Sequence, residues 1–153
     1  IVIGGASGAL PPVIGWAIAT NSISLESIAF FLIIFFWTPS HFWALSLYKA
    51  DDYKKAGIPM LPVTNGIQDT KKNILIYSLL MIPAIIFPYY IGFVSEVFLS
   101  LSLLFTFYYN LICYQLYNYK VGKFNIKKAR HIFSYSIIYL FLIFVFFLVD
   151  KII

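Results

Sequence analysis

Five apolar runs divide this chain, and each is long enough to cross a bilayer. They extend over residues 1–20, 25–48, 73 to about 93, 97–119 and 131 to about 149. A span needs about 20 predominantly apolar residues, at about 1.5 Å of rise each, to cross a hydrocarbon layer of about 30 Å. The run from Leu25 to Tyr48 reaches roughly 36 Å, enough to cross with some tilt. Within the bilayer every backbone polar group needs an internal partner, so runs of this kind fold as helices. The fold class expected is therefore all-α: a polytopic transmembrane helical bundle with about five segments, the first partial or broken. Residues 1–153 form one membrane-embedded domain, with no soluble domain, linker or repeat. Only 11% of residues are charged, against about 25% in a soluble domain.

Two spans carry breakers. In the first, Gly4, Gly5, Ala6, Ser7, Gly8 and Ala9 allow close helix approach. Pro11 and Pro12 then break or kink it, because proline lacks the amide hydrogen and clashes with the preceding turn. Packing and lining of a wet cavity are both open for this segment. The third span is expected to break at Pro83 and Pro88.

Charge fixes the orientation. Lys49, Lys54, Lys55, Lys71 and Lys72 fall in the connection 49–72, and Lys120, Lys123, Lys127, Lys128 and Arg130 in the connection 120–130. The connections at 21–24 and 94–96 hold neither Lys nor Arg. The positive-inside rule places the two basic connections in the cytoplasm and the two bare ones outside. A net charge of +5 confined to such connections argues against a nucleic-acid partner and for a lipid bilayer. Cys113, the single cysteine, lies in an apolar run and reads as packing. Tyr108, Tyr109, Tyr114, Tyr117 and Tyr119, at the end of the fourth span, read as interfacial anchors. Ile1 opens directly inside IVIGGASGAL without the basic flank of a secretory signal. The expectation is the C-terminal part of a longer protein.

Chemistry concentrates between Trp37 and Val63, WTPSHFWALSLYKADDYKKAGIPMLPV. Trp37, His41, Ala44 and Tyr48 are spaced by four, three and four and share one helical face. An ionisable residue inside a span is a functional candidate by default. For His41 the competing reading is a hydrogen bond to a neighbouring helix. Lys49, Asp51, Asp52, Tyr53, Lys54 and Lys55 follow at the membrane surface. They suit either a solvated loop or a site for an anionic phosphate group, since Mg²⁺ commonly binds through one or two carboxylates and substrate phosphates. The GIPMLPV tail is too apolar and too rigid for an ordinary exposed loop and reads as a lid folding back on a mouth.

IVIGGASGALPPVIGW, WTPSHFWALSLYKADDYKKAGIPMLPV and KKARHIFSYSIIYL together resemble the protoheme IX farnesyltransferase (heme O synthase) family of UbiA-type membrane prenyltransferases. The three blocks are spread over nearly the whole chain, and the middle one is the most specific. The resemblance implies a bundle whose central cavity opens to the cytoplasm, in the cell inner membrane. It implies transfer of farnesyl from farnesyl diphosphate to a vinyl group of heme B, with addition of water, giving heme O and diphosphate. Mg²⁺ would accompany the diphosphate, and heme A synthase or terminal-oxidase assembly would lie downstream.

The same resemblance assigns residues. Asp52 and Tyr53 match the family's second acidic motif, and Lys49 matches a basic position before it; these three are the catalytic candidates. Asp52 and Asp51 are the candidate metal ligands, Asp51 the weaker of the pair. His41, Tyr48, Trp43, Lys54, Lys55 and Arg130 are candidate substrate contacts, with Ser136 in the same last block as Arg130. The family's first acidic motif has no match here, so this stretch alone is expected to be inactive. Two alternatives stand beside this reading: another UbiA-type aromatic prenyltransferase, and a transporter or channel segment whose charged loop is merely cytoplasmic.

Overall fold

A computed structural model describes residues 1–119 and 126–152. They form helices α1 (Val2–Ala9), α2 (Pro11–Thr20), α3 (Leu25–Tyr48), α4 (Ala50–Lys55), α5 (Leu61–Thr64), α6 (Ile67–Tyr90), α7 (Glu96–Tyr117) and α8 (Ile126–Ile152). Helices α3, α6, α7 and α8 pack in a ring, each against the next and α8 against α3, while α1 and α2 lie on the outside of α3. Counting α1 and α2 as one broken span, five segments among the described residues are long and apolar enough to cross a membrane. The all-α polytopic bundle is the observed architecture.

The first span breaks where expected. Leu10 keeps helical dihedrals, and Pro11 and Pro12 open α2, where a missing amide hydrogen costs nothing. Helix α3 runs from Leu25 to Tyr48, straight through Pro39. Around that proline two hydroxyls bond back to the helix: Thr38 donates to the Ile34 carbonyl at 2.7 Å and Ser40 to the Trp37 carbonyl at 2.9 Å.

Three expectations about helix bounds need correction. Helix α6 is continuous through Pro83 and Pro88 rather than broken. Both prolines sit within the last eight residues of a long helix whose packing against α3 and α7 holds it together. The same helix begins at Ile67 rather than 73, because Gly66, at φ +87°, turns the chain into it. Lys71 and Lys72 are therefore helical rather than loop residues. Lys71 is fully buried, and its ammonium donates to the Tyr119 carbonyl at 2.8 Å. Finally, α8 begins at Ile126, so Lys127, Lys128 and Arg130 are helical. The remainder of the expected 120–130 connection, with Lys120 and Lys123, lies outside the described residues.

Of the tyrosines assigned to the interface, Tyr109 is instead a core residue. Its hydroxyl shares a 2.8 Å hydrogen bond with Ser40, tying α7 to α3. Tyr139 does the same with Thr106 at 2.8 Å, tying α8 to α7, and the two rings stack at 5.2 Å. Cys113 is buried beside them.

The bare connections and the C-terminal end of α8 meet at one end of the bundle. There Asp150 accepts hydrogen bonds from the Ser95 amide, at 3.1 Å, and from the Ser95 hydroxyl. Lys151 donates to the Phe93 carbonyl and lies 4.1 Å from the centre of its ring. Trp16, Phe30, Phe93, Phe98 and Phe147 pack edge-on or tilted beneath this clasp, with centroids 4.2–6.1 Å apart. The basic segments lie at the opposite end.

Candidate functional site

The face of α3 bearing Trp37, His41, Ala44 and Tyr48 meets α8. His41 is sandwiched between the rings of Trp37 (4.3 Å) and Phe133 (4.6 Å), and Tyr48 rests on Phe133 at 5.7 Å. The Trp37 indole donates to the Ser136 carbonyl at 2.8 Å, and His41 Nδ1 lies 2.7 Å from Ser136 Oγ. Ser136 has one hydroxyl hydrogen, which it gives to the Phe133 carbonyl at 2.7 Å. With the hydroxyl hydrogen so placed, Ser136 Oγ accepts from the imidazole, giving the tautomer with the proton on Nδ1 and the lone pair on Nε2. The hydrogen bond to a neighbouring helix, one of the two readings open for His41, is thus present. Sequence reasoning missed Phe133, which touches both His41 and Tyr48. Its signal was the spacing of three from Arg130 to Phe133 to Ser136, one stripe of α8.

The charged group begins where α3 ends. Lys49 closes α3 and opens α4, its carbonyl accepting from the Tyr53 amide at 3.1 Å. Asp51 and Asp52 occupy the first turn of α4 and Lys54 and Lys55 its last, the order the helix dipole favours. Gly57, at φ +68°, ends the helix: its amide bonds to the Lys54 carbonyl at 3.2 Å, and the Ile58 amide reaches back to the Tyr53 carbonyl at 3.0 Å. That pair of bonds is a Schellman stop, which an L side chain at the glycine would strain.

Lys49 Nζ and Asp52 Oδ2 form an ion pair at 3.0 Å, with side chains 49% and 64% exposed. The hydrogen bond that Lys49 donates to Asp52, and then the carboxylate's charge, hold the Lys49 ammonium above the usual lysine range. Arg130 acts on it in the opposite sense, which places the Arg130 guanidinium within electrostatic reach of the pair. Arg130, some eighty residues on, continues the stripe of α8 whose Phe133 and Ser136 meet α3, and so belongs to the same end of the α3–α8 seam as Lys49 and Asp52.

Trp43 lies elsewhere. It is buried, edge-on to Tyr77 at 5.3 Å, and lines a cavity of about 380 Å³ with Val2, Pro59, Met60, Leu61 and Thr64. This cavity is where the GIPMLPV tail folds back, with Pro62 buried behind it. Trp43 therefore does not share a face with His41, and Asp51 and Asp52 do not line this cavity. Both carboxylates face solvent. Carboxylate oxygens are the hard donors Mg²⁺ takes, but as consecutive residues of a helical turn Asp51 and Asp52 point in different directions. Among the described residues no three His, Cys, Asp or Glu side chains converge as a complete metal site.

A bundle of five membrane-crossing segments, with a charged cluster gathered at one end, is a multi-pass membrane protein. The chain belongs to the UbiA prenyltransferase family, whose model matches residues 1–138. It is 73% identical over 152 residues to the protoheme IX farnesyltransferase of Pelagibacter ubique, covering 99% of this chain and 50% of that protein. It is 45% identical to the protein of that name from Parvibaculum lavamentivorans, over 99% of this chain and 48% of the relative. The Azorhizobium caulinodans protein of that name is 48% identical, over 94% of this chain and 47% of the relative. The chain spans about half the length of the curated relatives it matches. No solved structure matches it.

Proposed function

We propose that this chain carries part of the site of a protoheme IX farnesyltransferase, which moves the farnesyl group of farnesyl diphosphate to a vinyl carbon of heme B. Water adds in the same reaction, and heme O and diphosphate are the products. The observation that carries the reading is the 73% identity, along nearly the whole chain, to a relative of that name. The gathering of Lys49, Asp52 and Arg130 at the basic end is the geometry it would use.

The residues divide the work as follows. Lys49, Lys54, Lys55 and Arg130 place fixed positive charge where the diphosphate gathers negative charge as its bond to carbon breaks. Asp52, with Asp51 beside it, would hold Mg²⁺, and the rest of its ligands would come from the substrate and from elsewhere in the protein. When bound, the ion supplies Lewis-acid stabilisation of the departing diphosphate. Tyr48 and Tyr53 offer aromatic faces to the allylic cation, each contributing about 0.5–2 kcal/mol; Trp43, on the opposite side of α3, would serve only as a wall of the separate cavity under the GIPMLPV tail. His41, locked between Trp37 and Phe133, holds the seam below the charged end and offers Nε2 toward the heme side. The apolar walls keep water from the cation until the vinyl group has attacked. The membrane is the cell inner membrane, with the basic end in the cytoplasm, and the product passes on toward heme A synthase or terminal-oxidase assembly.

The test is heme extraction from membranes expressing the full-length protein, followed by mass analysis. A farnesylated, hydrated heme is expected; heme B alone would remove the proposal.

A further inference from the structure

Helix α8 divides its cations between two faces. Arg130 continues the stripe of Phe133 and Ser136 that packs against α3, whereas Lys127, Lys128 and His131 lie with α7 residues. With Tyr108 and Gln115 these three line a hollow of about 310 Å³ at the basic end. Directly below it, along the same seam, Leu104, Phe107, Leu111 and Tyr135 line an apolar groove of about 490 Å³. Tyr108 belongs to both: its hydroxyl is 3.4 Å from His131 Nε2, and its ring stands edge-on to Tyr135 at 4.9 Å. Phe107 and Leu104 are 69% and 65% exposed, so this groove opens outward, where a bilayer presents acyl chains.

The charge is one-sided. Between Lys120 and Arg130 the sequence holds five cations and no carboxylate, while Asp51, Asp52 and Asp69 accompany the lysines of the other basic segment. Among the described residues, no acidic side chain lines either part of the groove. We propose that the outward groove between α7 and α8 is a binding site for one anionic phospholipid of the cytoplasmic leaflet. The phosphate sits among Lys127, Lys128 and His131, and an acyl chain lies along Leu104, Phe107 and Leu111.

A head of cations joined through one tyrosine to an apolar trough of membrane depth matches both halves of such a lipid. A soluble phosphate would use the head alone. Farnesyl diphosphate has the same two-part chemistry, but the residues proposed to handle it gather on the other face of α8, at Lys49, Asp52 and Arg130. The lipid site stands independently of the catalytic proposal, because it requires only the membrane and this face of the bundle.

The full-length protein in nanodiscs of phosphatidylcholine with a minor fraction of phosphatidylglycerol tests it, with lipid retained after detergent extraction counted by native mass spectrometry. Phosphatidylglycerol should be retained in preference to phosphatidylcholine. Each cation at an anionic membrane surface is worth about fivefold, so Lys128→Gln should weaken retention about fivefold and the Lys127→Gln/Lys128→Gln pair on the order of tenfold or more. Lys72→Gln, which removes an exposed cation from the other basic segment, should leave retention unchanged. Leu111→Trp, which fills the trough and keeps every charge, should also reduce it. Equal retention of the two lipids in the wild-type protein would overturn the proposal, as would equal loss in Lys72→Gln and Lys128→Gln. So would displacement of the lipid by glycerophosphate or by farnesyl diphosphate at comparable concentration.

Discussion

The two ends of this bundle are built differently. At the bare end, Asp150 holds Ser95, Lys151 holds the Phe93 carbonyl, and rings from α2, α3, α7, α8 and the α6–α7 turn close over the core. Charge there is spent on joining elements. At the basic end Lys71 still ties α6 to the Tyr119 carbonyl, but the Lys49–Asp52 pair is about half-exposed and joins residues of neighbouring turns, not distant helices. A closed end can hold five segments in register while an open one keeps its charges available to a ligand. The contrast locates chemistry by what the charges are not used for.

Substitutions at the two ends sharpen that contrast. The largest effect is expected for Asp52→Asn in the full-length protein: heme farnesylation, followed by mass analysis of extracted heme, should fall at least about 100-fold with the thermal midpoint unchanged. Asp150→Asn should do the reverse and keep turnover within about twofold. Equal activity losses would erase the distinction between the ends. Next comes the seam. His41→Ala removes a ring packed between Trp37 and Phe133 and should destabilise by about 2–4 kcal/mol, read by unfolding in detergent micelles. His41→Phe should recover most of that stability and none of the lost turnover; recovery of both would make the imidazole purely structural.

Smaller effects follow. Asp150→Ala leaves the Ser95 amide and hydroxyl without their acceptor and should cost about 1–2 kcal/mol. Tyr109→Phe, which deletes the bond to Ser40, should cost only about 0.6 kcal/mol, the usual value for a hydrogen bond between membrane helices. A larger loss there would mean that the buried tyrosines, rather than the clasp, hold the bundle.

Much of this was legible in advance, and the misses have physical causes. Hydropathy located every span, and the strict alternation of basic and bare connections put Ser95, Phe93, Asp150 and Lys151 at one end, where the structure finds them in contact. The bounds of α3 were readable because Asn21, Ser22 and Ser24 on one side and Lys49 on the other flank it with polar residues. Pro83 and Pro88 misled because proline's effect depends on neighbouring helices, which local sequence does not describe. Lys71 misled in the same way: its burial depends on a carbonyl 48 residues away. Of the candidate site, the charged run around Asp52 was contiguous and so visible. The partners of His41 come from α8, 92 and 95 residues onward, and no spacing within α3 encodes them. Trp43 is four residues short of Leu47 and two beyond His41, and that offset of two turns it to the opposite side of the helix.

Lys49 is shared by two helices with no linker between them. The rod that crosses the membrane and the short arm bearing the carboxylates therefore meet at a single residue, like a crank on its shaft. Any change in the slope of the rod, as when the protein moves between bilayers of different thickness, is delivered to the arm as a swing.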